Sequence, residues 1–151
     1  MKLEIGKKAP SFKAKLQDGS EVSSNGLKGN KYVLYFYPKD DTPTCTKQAC
    51  NIRDNYSQFQ DSNIHIYGVS PDGEKSHLKF KTKYDLPFQL IMDEDQALCE
   101  KFGVWGEKKN FGRTYMGVKR TTFVIDENGK IADIITKVKA DNHTEQIFES
   151  L

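Results

Sequence analysis

The chain has little cysteine, little histidine and no long apolar run, and each shortage removes a class of function. Of 151 residues, three are Cys, three are His and one is Trp. No stretch approaches the roughly 20 apolar residues that a membrane helix needs. The opening Met1-Lys2-Leu3-Glu4-Ile5 lacks the apolar core of an export signal. Cys45, Cys50 and Cys99 contain no Cys-x-x-Cys, the arrangement of general disulfide oxidoreductases. His65, His77 and His143 are scattered, and with Cys45 and Cys50 they form no ligand spacing that suits zinc. A net charge of +2 is too small to argue for nucleic acid, and Lys79–Lys83 reads as a solvated face. Three cysteines without an export signal imply a reducing, cytoplasmic setting and thiols used for chemistry, not as staples.

What is present suits one globular domain spanning 1–151, with 29% charged and 36% apolar residues and no linker, repeat or low-complexity block. Lys13–Leu16 and Glu21–Ser23 flank Gln17-Asp18-Gly19-Ser20, a hairpin signal. Lys31–Tyr37 is apolar and aromatic almost throughout, as in a strand buried on both faces. Cys45, Ala49, Ile52, Tyr56 and Phe59 recur at helical spacing. Ile64–Ser70 reads as a second core strand, Glu74–Tyr84 as a helix with its aromatics on the core face, and Phe88–Met92 as a short strand. Gln96–Phe102 reads as a helix stopped by Gly103. Thr121–Asp126 and Lys130–Thr136 read as a hairpin about Glu127-Asn128-Gly129, and Asn142–Leu151 as a closing helix. The expected fold is α/β: a mixed central sheet flanked by helices in a thioredoxin-like order, with an N-terminal β-hairpin extension. His65 is expected to face outward, and His143 to cap the last helix or meet solvent.

The junction between the Lys31–Tyr37 strand and the helix carries the chemistry. Thr42 and Pro43 read as N-cap and first helical residue. Cys45 then stands at the third helical position, among amides without intrahelical partners and at the positive end of the helix dipole. Only the thiolate is a good nucleophile. A thiol with a pKa of about 8.5 is roughly 3% ionised at pH 7, and one lowered to about 6 is roughly 90% ionised. Cys50 follows five residues later, about 7.5 Å along the axis and about 140° around it. That puts the two Cα atoms roughly 8.6 Å apart, beyond the about 7 Å that a disulfide spans. Any Cys45–Cys50 bond therefore requires the first turns of the helix to open.

These residues lie within a resemblance that covers the whole chain. Gly6-Lys7-Lys8-Ala9-Pro10-Ser11-Phe12, Val33-Leu34-Tyr35-Phe36-Tyr37-Pro38-Lys39-Asp40, Gly68-Val69-Ser70-Pro71-Asp72, Phe102-Gly103-Val104-Trp105-Gly106-Glu107-Lys108 and Arg120-Thr121-Thr122-Phe123-Val124-Ile125-Asp126 occur in order around Pro-x-x-x-Thr-x-x-Cys. The chain resembles the Q-type peroxiredoxins, the group also called bacterioferritin comigratory protein. The resemblance implies a thiol peroxidase reducing hydrogen peroxide and organic hydroperoxides, with no metal or organic cofactor and no membrane or nucleic-acid partner. Cys45 would be the peroxidatic cysteine and pass through a sulfenic acid. Thr42 would hydrogen-bond the peroxide, Pro38 would shield the sulfur from water, and Arg120 would hold the thiolate and the developing oxygen charge. Cys50 would be the resolving cysteine, with thioredoxin or a similar dithiol as reductant, and the protein would be a monomer. Some members carry the resolving cysteine on the helix that here contains Leu98 and Cys99, but Cys99 reads as core packing because Cys50 fills that role. Thr44 stands where the family usually has Gly. Gln48 stands where it usually has Glu, so neutral hydrogen bonding replaces an ion pair to Arg120. From another class, a thioredoxin-like binding or holdase module would need none of Thr42, Cys45 and Arg120.

Overall fold

The computed structural model describes residues 3–151; Met1 and Lys2, the first residues of the stretch read above for an export signal, lie outside them. Among the described residues, β1 (Lys13–Leu16), β2 (Glu21–Ser23), β3 (Lys31–Phe36), β4 (Ile64–Ser70) and β5 (Gln89–Met92) join one sheet. Two later strands, Thr121–Ile125 and Ile131–Ile135, complete it. Between β3 and these later strands in sequence also lie α1 (Pro43–Asp54), α2 (Tyr56–Asp61), α3 (Glu74–Lys83), α4 (Ala97–Lys101) and a separate hairpin, β6 (Trp105–Asn110) with β7 (Arg113–Val118). The later strands are thus β8 and β9, and α5 (His143–Glu149) closes the chain. The sheet runs β2-β1-β5-β4-β3-β8-β9. β3, β4 and β5 are mutually parallel, while β1 and β8 add antiparallel strands on either side. This is the expected mixed thioredoxin-like sheet, with the N-terminal hairpin sewn to its edge.

β3 divides the core. Tyr32, Leu34 and Phe36 pack on one face with Leu98, Cys99 and Phe102. Val33, Tyr35 and Tyr37 pack on the other with Cys45, Ala49, Ile52, Phe59, Phe80 and Ile147. The two-residue period of a strand produces that division, so each face of β3 is buried under helices. Gly68 in β4 makes room for it: a Cβ there would stand 2.8 Å from the Tyr35 hydroxyl.

Two features depart from the pattern expected of the sequence. The helix from Cys45 to Phe59 is interrupted at Asn55, whose backbone leaves the helical region (φ −116°, ψ 15°), and α2 restarts beyond it. Tyr56 and Phe59 still reach the core, which is why the spacing looks continuous. The β6–β7 hairpin has no counterpart in the sequence reading. β7 is exposed over its first four residues, so there is no apolar alternation. Its turn is Phe111-Gly112, both with positive φ (51° and 77°), where a hairpin turn usually announces itself with Asn or Asp.

Candidate active site

The connection from β3 to α1 is tied down before it reaches the cysteine. Asp40 is buried and accepts at Oδ1 from the Tyr37 hydroxyl (2.6 Å). Its Oδ2 receives the Ser76 hydroxyl (2.8 Å) and His77 Nδ1 (2.7 Å), while its amide donates to Asp72 (2.8 Å). The other ring nitrogen, Nε2 of His77, lies 2.8 Å from the Ile91 carbonyl. Both nitrogens of His77 thus face acceptors, and satisfying both requires the imidazolium. Burial opposes that charge, but the Asp40 hydrogen bond and charge outweigh it and raise the His77 pKa. Asp40, Asp72 and His77 bring ligand-type atoms within 4.8 Å of one another. The Asp40 and His77 atoms are committed to this network. The sequence reading passed over the Asp40–His77 pair because 37 residues separate its members and no motif links them.

α1 starts as the sequence implies, with Thr42 extended at the N-cap position and Pro43 first in the helix. The expected side-chain cap is not made. The Thr42 hydroxyl instead donates to the Lys39 carbonyl (2.9 Å), closing the connection on itself. The first helical bond runs from Thr46 N to Thr42 O (2.8 Å). By helix geometry the amides of Thr44 and Cys45 lie ahead of it, free to face an anion. Cys45 is 2% exposed, in phase with Ala49 and Ile52 on the buried stripe, and Pro38 is half-buried at the end of β3. Cys50, also on α1, is half-buried, and both are free thiols.

Arg120 approaches from the two-residue connection between β7 and β8, not from within a strand. Its Nη2 donates to the Cys45 sulfur at 3.2 Å and its Nη1 to Gln48 Oε1 at 2.6 Å. Gln48 is fully buried one turn after Cys45, and it holds the guanidinium by a neutral hydrogen bond where an ion pair was the family expectation. The Gln48 amide nitrogen lies 3.3 Å from His143 Nδ1, and His143 Nε2 lies 2.8 Å from Thr122 Oγ1. His143 therefore corrects its expected role. It is the first residue of α5, but its side chain turns inward between α1 and β8, fully buried, and neither caps the helix nor meets solvent. Burial, then the nearby Arg120 charge, lowers its pKa to about 3, so the ring is neutral. His65 is exposed on β4, as expected.

Cys99 stands apart from this cluster. It is fully buried in the core on the other face of the sheet from Cys45. Burial, then the Asp93 carboxylate beside it, pushes its thiol pKa up. Asp93 also accepts the amides of Leu98 (2.9 Å) and Cys99 (2.8 Å), fixing the start of α4. The cluster that remains is a sheltered thiol with a cation and free helix amides directed at it, an arrangement that stabilises negative charge on sulfur and on an oxygen bound to it.

The AhpC/TSA family model matches residues 5–134. A putative peroxiredoxin Bcp of Coxiella burnetii is 48% identical over 151 residues, covering 100% of both chains. The peroxiredoxin Bcp of Bacillus subtilis is 46% identical over 151 residues, covering 100% of this chain and 96% of its own. A solved structure of the Xanthomonas campestris bacterioferritin comigratory protein, studied for its alkyl peroxide reduction, is 30% identical with a TM-score of 0.89. It covers 97% of this chain and 96% of that one.

Proposed function

The chain belongs to the AhpC/TSA family and is a thiol peroxidase of its Bcp/PrxQ peroxiredoxin group, and we propose that Cys45 is its peroxidatic cysteine and Cys50 its resolving cysteine. Its substrates are hydroperoxides and its reductant is a thiol. The observation that carries the assignment is the 3.2 Å contact from Arg120 Nη2 to the Cys45 sulfur at the start of α1. In the first step the thiolate attacks the terminal oxygen of the hydroperoxide. The S–O bond forms as the O–O bond breaks, and the departing oxygen leaves as water or alcohol after taking up a proton. Arg120 and the free amides of α1 meet the charge on the reacting oxygens. The Thr42 hydroxyl, which already donates to Lys39, presents its lone pairs to the peroxide O–H. Pro38 limits access of water to the sulfur.

The Cys50 thiol then attacks the Cys45 sulfenic acid, forming the S–S bond and expelling water. Two cysteines five positions apart on one helix meet only if its first turns unwind. Thioredoxin or a similar dithiol next reduces the disulfide by exchange and is itself oxidised to a disulfide. Cys99 is a packing residue, buried across the sheet from Cys45. We further read the chain as one catalytic domain, 1–151, that works as a cytoplasmic monomer. No helix among the described residues is long and apolar enough to cross a membrane. The alkyl peroxide activity of the Xanthomonas campestris relative and the apolar packing around Cys45 favour organic hydroperoxides alongside hydrogen peroxide.

One equivalent of hydrogen peroxide, followed by intact-mass analysis and peptide mapping, tests the cycle. Loss of two hydrogens mapped to a Cys45–Cys50 link is expected. A Cys45–Cys99 link would move the resolving role, and unreacted thiols would remove Cys45 as the nucleophile.

A further inference from the structure

A side-chain amide presents two nearly identical ends, and only its hydrogen-bond partners decide which end faces where. At Gln48 that choice matters. With Oε1 toward Arg120, the guanidinium is held at 2.6 Å and its second nitrogen reaches the Cys45 sulfur. With the amide reversed, an NH2 group would confront a guanidinium, donor against donor, inside a buried site, and the cation would lose its anchor. The opposite end of Gln48 meets His143 Nδ1. An unprotonated Nδ1 accepts from the Gln48 NH2 and permits only the productive orientation.

His143 is held in that role from three sides. Its Nε2 pairs with Thr122 Oγ1, a hydroxyl able to accept the Nε2 proton and so to keep Nδ1 free. Its ring stands edge-on to Tyr35, with centroids 5.4 Å apart and planes at 78°. Its neighbour Thr144 is bonded to Asn51 of α1. The ring sits three hydrogen bonds from the sulfur, through Gln48 and Arg120, so it acts through other groups and does not itself meet the reacting atoms.

We propose that His143 is a positioning residue for the peroxidase reaction: as the Nε2–H tautomer it accepts the Gln48 amide at Nδ1, sets which end of Gln48 faces Arg120, and so aims the guanidinium at the Cys45 sulfur. This rests on Arg120 acting on that sulfur as proposed above. The ring makes no charge of its own available; its contribution is one lone pair in one direction.

Two substitutions separate this role from simple packing. His143→Asn places its amide oxygen near the former Nδ1 and keeps the acceptor for Gln48. His143→Gln places its amide group near the former Nε2, keeping the Thr122 side and losing the Gln48 side. Each removes one buried hydrogen bond, so a merely structural role would treat them alike. The second-order rate of Cys45 oxidation by peroxide, measured by stopped flow, should fall about 10- to 100-fold in His143→Gln. It should be largely retained in His143→Asn. 15N NMR of the wild-type ring supplies a readout that needs no variant to fold: Nε2 should carry the proton and Nδ1 should not. In Gln48→Glu, where a carboxylate can only accept, the proton should move to Nδ1. Equal rates in both His143 variants, or a wild-type Nδ1–H tautomer, would overturn the positioning role. Arg120→Ala run alongside distinguishes the two levels. Loss of rate there with none in His143→Gln overturns only the positioning role, whereas no loss in Arg120→Ala overturns the reading on which it rests.

Discussion

Asn51, the residue after Cys50, accepts both the backbone amide and the hydroxyl of Thr144 on its side-chain oxygen, each at 2.8 Å. Its amide nitrogen donates to the Asp141 carbonyl, also at 2.8 Å. The helix that must open for Cys45 and Cys50 to meet is thereby pinned to the start of α5. Asn51→Ala should lower global stability by about 1–3 kcal/mol, the cost of leaving the amide and hydroxyl of the buried Thr144 without this partner. If about 1 kcal/mol of that eases the opening of α1, conversion of sulfenic acid to disulfide should accelerate roughly fivefold. Stopped flow that resolves peroxide oxidation from disulfide formation checks this. A lowered stability with an unchanged second step would mean that Asn51 does not restrain the opening.

Arg120 makes two contacts with one planar group, to the Cys45 sulfur and to Gln48. Arg120→Lys keeps the charge but offers a single point donor in place of a fork. It should lower the rate of Cys45 oxidation about 10²- to 10³-fold, as loss of one preorganised donor does at other sites of developing oxygen charge. Thermal unfolding should move little, since Arg120 is only partly buried. A Lys variant with the wild-type rate would show that charge alone is sufficient.

The strand, the helix and its cysteine were legible because local chemistry determines them. Pro43 has one favourable place in a helix, Cys45 shares the phase of Ala49 and Ile52, and β3 buries both of its faces. The supporting contacts were not legible, because they join residues far apart in sequence. Gln48 reaches His143 across 95 positions and Asp40 reaches His77 across 37. His143 looked like a surface or capping residue because a helix start is normally solvated. Only the packing of α5 against α1 and β8 turns it inward. The β6–β7 hairpin escaped for the opposite reason: it is held by backbone pairing, β7 is exposed over its first four residues, and the pair buries too little to leave an apolar pattern.

Cys50→Ser should complete one stoichiometric peroxide turnover and then stop, with one oxygen added at Cys45. Cys99 should not rescue it, because it is fully buried across the sheet, its pKa raised by burial and by Asp93. Intact mass after one equivalent of peroxide shows the adduct, and steady-state turnover with thioredoxin shows the stall. Sustained turnover in Cys50→Ser would transfer the resolving step to another thiol.

His77 and His143 are both fully buried, yet they contribute to pH stability with opposite sign. His77 has acceptors at both ring nitrogens, and Asp40 raises its pKa against the cost of burial. Its contribution is fully present below the unfolded value of about 6.5 and is lost as pH rises through the higher folded value. His143 has its pKa lowered to about 3 by burial and by Arg120. Below about 6.5 the unfolded chain takes up a proton that the folded protein refuses, so stability falls by about 1.4 kcal/mol per pH unit until the folded pKa is reached. Between pH 6.5 and 4.5 that amounts to about 2–3 kcal/mol. Urea midpoints across pH 4.5–8.5 separate the two. His143→Asn should flatten the acid limb relative to wild type and leave the alkaline limb alone. His77→Gln should flatten the alkaline limb, and at neutral pH should cost about 3 kcal/mol or more, because it leaves the Asp40 carboxylate buried without its cation. Other carboxylates titrate in the same acid range, so the difference between variant and wild type is the quantity that matters. An acid limb unchanged in His143→Asn would mean that the ring is protonated in the folded protein, and with it the Gln48 amide would have to be reversed.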